Sequence, residues 1–181
     1  MMKRAVISRE ELSVHIQSGD IETVIMGFVD RYGRLVGKRA TGRFFLDHVA
    51  DHGTENCDYL LNCDIDNQPE VGFRFSNFDL GYGDMLAKAD WETIRIASWL
   101  PKTAIIMCDL FDSTSGEMVA VAPRSILRQQ VEHAASMGFL TLLGSEIEFF
   151  LFHDSYDEAK KNGYASLRPH SAWAQDYNIL Q

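Results

Sequence analysis

The residues of this chain best placed to do chemistry lie in Gly144-Ser145-Glu146-Ile147-Glu148-Phe149-Phe150-Leu151-Phe152, an apolar run carrying two carboxylates. In an extended chain successive side chains alternate, so Glu146 and Glu148 point to one face while Ile147, Phe149 and Leu151 point to the other. Carboxylates held roughly 7 Å apart repel each other unless protons, arginines or cations intervene. No Lys or Arg occurs between Phe139 and Phe152, so the local sequence supplies no counter-charge. Hard divalent cations such as Mg²⁺ or Mn²⁺ satisfy such a pair best. On residue types alone a second reading stays open: a solvated strand face whose glutamates keep an aromatic segment in solution.

Other chemistry-bearing groups are weaker. His48 and His52, with Asp47 and Asp51 beside them, have a helical spacing that can chelate a metal, but no Glu follows the first His as a zinc-protease motif requires. A solvated helix end is the better reading of that cluster. His133 and His153 read as surface residues. Arg34, Lys38 and Arg39 form a small basic group that suits a phosphate or carboxylate, or pairs with the protein's own acidic surface. The Gly-rich stretch Phe78 to Asp84 lacks the Lys and Ser/Thr of a phosphate loop and reads as a connection.

The elements that must position these groups are legible in part. Ser8-Arg9-Glu10-Glu11 is a capping box that opens a short helix running to Ser18 and stopping at Gly19. Thr23 to Val29, turn residues Asp30 to Gly33 and a second run from Leu35 predict a hairpin. A helix is expected across Phe44 to His52, with strands over Tyr59 to Ile65 and Ala104 to Phe111. Ser113-Thr114-Ser115-Gly116 predicts a turn into a second hairpin over Glu117 to Val121. From Pro123 a helix is expected, with Leu127, Val131, Ala134 and Ala135 on one face, an Arg128 to Glu132 pair on the other, and Gly138 as the stop. Helices and strands mix without regular alternation, so the fold class is α+β. The change of signal near Ala122 divides residues 1–122 from residues 123–181.

Composition narrows the partners. Acidic residues outnumber basic ones 26 to 17 among 181, so the average field repels nucleic acid and anionic membranes. Three cysteines, Cys57, Cys63 and Cys108, show no Cys-x-x-Cys spacing and read as reduced thiols, with Cys108 as core packing. Basic residues at the start are followed by no apolar stretch, and no window reaches transmembrane length, so the expected location is the cytoplasm.

Taken in order, Pro123-Arg124-Ser125, the helix to Met137-Gly138-Phe139 and the Gly-Ser-Glu-Ile-Glu-Phe-Phe-Leu-Phe run resemble the glutamine synthetase superfamily. Val29-Asp30-Arg31-Tyr32-Gly33-Arg34-Leu35-Val36-Gly37-Lys38-Arg39 is similar to the family's first hairpin, and Asp176 to Gln181 to a segment following the two-glutamate strand. The match is best among members that join glutamate to organic amines. The resemblance implies an N-terminal β-grasp domain followed by the first helix and strand of the catalytic domain. It implies ATP, Mg²⁺ or Mn²⁺, glutamate and an amine as partners, and a homo-oligomeric ring in which one subunit's N-terminal domain closes its neighbour's site.

By the same resemblance, Glu146 corresponds to a ligand of the metal nearer the ATP phosphates, and Glu148 to a ligand of the metal on the glutamate and amine side. Ammonia-using relatives carry Asp-Gly-Ser-Ser where this chain has Leu61-Asn62-Cys63-Asp64-Ile65-Asp66. Asp64 stands in for that Asp, and the missing Gly-Ser-Ser favours a larger amine such as a polyamine or ethanolamine. The family's catalytic domain continues well beyond Gln181, so this polypeptide alone is expected to be inactive, and its apolar surface after Pro123 to be sticky. Two rivals remain: a non-catalytic structural or assembly relative, and, on the carboxylates alone, a dinuclear metal hydrolase.

Overall fold

A computed structural model describes residues 6–173 and resolves two compact units, one ending at Thr141 and the other beginning at Leu142. In the first, helix α1 (Arg9–Ser18) opens on the expected capping box. The Glu11 amide donates to Ser8 Oγ at 3.1 Å, and the Ser8 amide to Glu11 Oε2 at 2.8 Å. Gly19, at φ +80°, ends the helix in a conformation that glycine adopts without penalty. Leu12 is its fully buried residue.

Strands β1 (Thr23–Val29) and β2 (Leu35–Thr41) form the predicted antiparallel hairpin. The hairpin's sequence has local physical causes. Asp30 Oδ1 accepts from the amides of Tyr32 and Arg34, both at 2.9 Å, and Oδ2 accepts from Arg34 Nε at 2.6 Å. One carboxylate thus closes the turn, although its side chain is only 1% exposed. Burial pushes the Asp30 carboxyl up, but the Arg34 amide, its guanidinium and the Tyr32 amide outweigh it and hold the pKa below the ordinary 3.8. Gly37 has φ +144°, and a Cβ there would lie 2.0 Å from the Met26 carbonyl oxygen, so no other residue fits the ladder as it stands. Next to it, the Lys38 ammonium donates to the Glu55 carbonyl and ties β2 to β3 (Thr54–Cys57).

The remaining strands are β4 (Asp84–Ala89), β5 (Arg95–Ile96) and β6 (Thr103–Asp112). The sheet order is β2-β1-β6-β4-β3, with β5 also on β6. Only β1 and β6 run parallel; the other pairs are antiparallel, as suits an α+β chain. Alternate residues Val24, Met26 and Phe28 of β1, and Ala104, Ile106, Cys108 and Leu110 of β6, build one core with Leu12, Phe45, Met85 and Ile94. Burial pushes the Cys108 thiol up to about 12, with Asp109 adding to it.

Helix α3 (Pro123–Ser136) starts and stops as expected, with Gly138 at φ +87°. Its charges behave otherwise. Arg128 donates to Asp109 at 2.6 Å instead of pairing along the helix with Glu132, and Arg124 bridges Asp109 at 2.9 Å and Asp90. These cross-links attach α3 to β6 within the first compact unit. The face carrying Leu127 and Val131 is not covered: those side chains are 53% and 42% exposed.

Four expectations are corrected. Tyr59 to Ile65 is not a strand: a 3₁₀ turn (Asp58–Leu61) and a loop replace it. Asp58 and Asn62 draw the backbone aside, Asp58 through Ser76 Oγ and the Gly83 amide, Asn62 through the Ser76 carbonyl. The helix across Phe44 to His52 is a short α2 (Gly42–Phe44) and a wider π turn (Phe45–Val49) that puts Phe45, Val49 and Ala50 in the core. The second hairpin is present but shorter than expected: after Gly116 the return arm makes one antiparallel bridge, Phe111 to Met118, flanked by the Asp112 amide on the Glu117 carbonyl at 2.8 Å and the Val119 amide on the Leu110 carbonyl at 2.9 Å. Finally, residues 139–151 form no ladder, so the expected Glu146 strand is unpaired.

The second unit contains α4 (Tyr156–Lys161), with its own Ser155 to Glu158 capping box, and a contact of Phe152 with Pro169 reinforced by Arg168 on Asp154 at 3.1 Å. The segment from Asp176 to Gln181 lies outside the described residues. Among the described residues no helix is long and apolar enough to cross a membrane.

Replacing Asp30 by Asn removes charge-assisted bonds from a buried site and should lower unfolding free energy at neutral pH by about 2 kcal/mol in urea titrations. Because the folded pKa is depressed, this contribution is complete above the unfolded value near 3.8 and vanishes as pH falls through the folded value. The gap between wild type and D30N should therefore close only in strong acid. Cys108 should resist iodoacetamide at pH 8 in the native protein and react once the chain is unfolded, as mass spectrometry of the labelled peptide would reveal.

Candidate metal ligands and an amine-end loop

Glu146 and Glu148 both lie on the surface of the second unit, in the stretch without a ladder. Their apolar neighbours are equally open, with Ile147 83% and Phe149 78% exposed. The alternation read from sequence is thus not expressed as one buried and one solvated face. Neither carboxylate has a hydrogen-bond or ion-pair partner among the described side chains, so each is free to accept a cation. Their chemistry suits a hard divalent ion, which takes oxygen ligands, but two carboxylates are a fraction of its shell. Among the described residues no group of three or more His, Cys, Asp or Glu side chains could hold a metal. His48, in the alternative histidine cluster, stacks on Phe44 with ring centroids 4.9 Å apart.

Asp64 belongs to the first unit, and one oxygen of its carboxylate is engaged by its own loop. Asp64 Oδ1 accepts from the amides of Asp66 at 2.9 Å and Gln68 at 2.8 Å, while the Asp64 amide donates to the Gln68 carbonyl at 2.9 Å. The side chain folds its own loop, as Asp does when offered nearby amides. Asn67 takes the left-handed conformation at φ 61° that completes the turn.

Sequence reasoning missed what fixes this loop to the sheet. Arg34, oriented by Asp30, sends Nη1 to the Ile65 carbonyl at 2.6 Å and Nη2 to the Asp64 carbonyl at 3.1 Å. Arg31 donates from Nε to the Cys63 carbonyl at 2.9 Å and pairs with Glu70. The signal was present in Asp-Arg-Tyr-Gly-Arg, but the acceptors are backbone carbonyls 30 to 32 residues away, which no spacing reveals. Lys38, from the same basic group, is likewise spent on a carbonyl. A separate groove of about 600 Å³ between α1 and α2 is lined by Ile16, Ile21, Gly42 and Leu46 among others, and by none of Glu146, Glu148 and Asp64.

Comparison with known proteins bears on these positions. Residues 120–178 match the family model described as glutamine synthetase, catalytic domain. Over 171 residues the chain is 43% identical to gamma-glutamylethanolamide synthetase GlnA4 of Streptomyces coelicolor, covering 94% of this chain and 37% of the relative. It is 30% identical over 165 residues to a glutamate–isopropylamine ligase of a Pseudomonas species, covering 91% and 36%. The chain therefore spans little more than a third of the length of these relatives. A solved structure of GmaS with ADP shares the fold over 70% of this chain and 26% of its own, with a TM-score of 0.53 at 21% identity. Both the catalytic-domain match over Glu146 and Glu148 and the near-complete alignment with amine ligases lead to one assignment: the chain belongs to the glutamine synthetase superfamily.

Proposed function

We propose that this chain is the N-terminal part of an ATP-dependent ligase that joins the γ-carboxylate of glutamate to an organic amine through γ-glutamyl phosphate. The observation that carries the reading is the 43% identity with a gamma-glutamylethanolamide synthetase along 94% of the chain. An organic amine is favoured over ammonium because the first relatives act, by name, on ethanolamine and isopropylamine derivatives, and because Asp64 is followed by Ile65-Asp66 rather than Gly-Ser-Ser.

In this reading Glu146 and Glu148 supply carboxylate oxygens to bound Mg²⁺ or Mn²⁺. Such ions neutralise phosphoryl oxygens so that an anionic carboxylate can approach the γ-phosphate. The loop around Asp64 lies at the amine end. Residues 1–122 are a β-grasp domain and residues 123–181 the start of the catalytic domain, consistent with a family match that begins at residue 120. The complete protein is a cytoplasmic homo-oligomeric ring. A non-catalytic relative is the second reading, favoured by the absence, among the described residues, of any three-ligand metal cluster.

The test uses the complete protein with ATP, glutamate and a panel of ethanolamine, isopropylamine and ammonium, following phosphate release. Turnover with an organic amine is expected, and E146Q or E148Q should each lower it by about 100-fold or more, the scale of losing a metal that stabilises transferring charge. Full turnover in both variants would remove the glutamates from the mechanism; no turnover with any amine would favour the non-catalytic relative.

A further inference from the structure

The hairpin turn of β1 and β2 does more than reverse the chain. Its two arginines reach across to residues 63–70 and take three successive backbone carbonyls: Cys63 by Arg31, Asp64 and Ile65 by Arg34. A guanidinium has five donors in a fixed fork, which suits it to gripping several acceptors at once. Arg34 uses one edge on Asp30 and the other two nitrogens on the loop, so the buried carboxylate aims the fork. Arg31 closes the far end through Glu70, with Tyr32 and Phe73 rings 4.8 and 5.1 Å from its guanidinium carbon.

Within this clasp Asp64 Oδ1 accepts from two of the loop's own amides, Asp66 and Gln68. The loop presents Ile65 to solvent, 68% exposed, and Val71, directly after the loop, is 93% exposed. Exposed apolar side chains on a braced loop suit an alkyl group better than bare ammonium, whose binding depends on charge and hydrogen bonds.

We propose that Arg31 and Arg34 are positioning residues for amine recognition: they hold the Cys63–Glu70 loop in one conformation, which Asp64 Oδ1 also shapes from within. This rests on the ligase reading above. Neither arginine touches substrate; both act through the backbone they fix.

Two measurements on R34Q, R34K and R31Q test it. R31Q guards against misfolding, because it leaves no buried carboxylate without its partner. By hydrogen exchange on the chain itself, R34Q and R31Q should speed exchange of the Asp66 and Gln68 amides by about tenfold or more, while β1 amides Val24 to Phe28 stay protected. R34K should restore protection only in part, since an ammonium cannot reproduce the fork. In the complete protein the same variants should raise KM for ethanolamine by about tenfold, with kcat and the KM values for ATP and glutamate within twofold.

Unchanged exchange at Asp66 and Gln68 would overturn the clasp. Faster exchange with an unchanged amine KM, or an equal loss for all three substrates, would overturn its role in amine recognition. Failure of the ligase reading is separately visible, as absence of turnover in the wild-type protein.

Discussion

Strand β6 pairs with β1 along Thr103–Met107 on one edge, and on the other with β5 at Ala104 and Ile105 and with β4 along Cys108–Asp112. Its backbone groups are therefore used on both sides, which permits a strand whose core-facing residues are Ala104, Ile106, Cys108 and Leu110 to sit in the middle of the sheet. Asp109, between two of these core residues, points the other way and collects Arg124 and Arg128. One strand thus builds the core with alternate residues and anchors α3 with the carboxylate between them. A central strand of this kind has no tolerance for a shift by one residue, because Asp109 would enter the core and Cys108 and Leu110 would leave it.

A second constraint comes from the long connection between β3 and β4. A connection this long contains many peptide groups that need partners wherever water is excluded. The chain meets the need with side chains: Asp58 on Ser76 and Gly83, Asn62 on the Ser76 carbonyl, Asp64 on its own amides, and Arg31 and Arg34 on carbonyls. Arginine suits the last role because its planar fork loses less freedom per bond formed than a lysine chain would. Asp58 and Asp64 therefore serve the shape of the connection.

What could be read from sequence follows from the same distinction. The capping box of α1, the β1–β2 turn, β6 and the limits of α3 were legible because their causes lie within a few residues: Ser8 with Glu11, Asp30 with Arg34, Pro123 with Gly138. Tyr59 to Ile65 was misread because its apolar content suggests a strand, while its backbone carbonyls are captured by arginines distant in sequence. The carboxylates Glu146 and Glu148 were singled out by type and spacing, and their roles rest on the family resemblance. The clasp around Asp64 was invisible, since neither arginine has a sequence neighbour that announces a backbone carbonyl as its target.

The glutamate segment shows what alternation means physically. A period of two sets which side chains share a face only when the backbone is extended, and an extended backbone persists when a ladder or a covered face holds it. In residues 139–151 neither is present among the described residues: Ile147 and Phe149 are exposed, as are Glu146 and Glu148. Covering the Ile147 and Phe149 face would hold the backbone extended, and an extended backbone keeps Glu146 and Glu148 on one side. The apolar residues of this run would then matter to any cation bound by the two carboxylates, although none of them can ligate a metal.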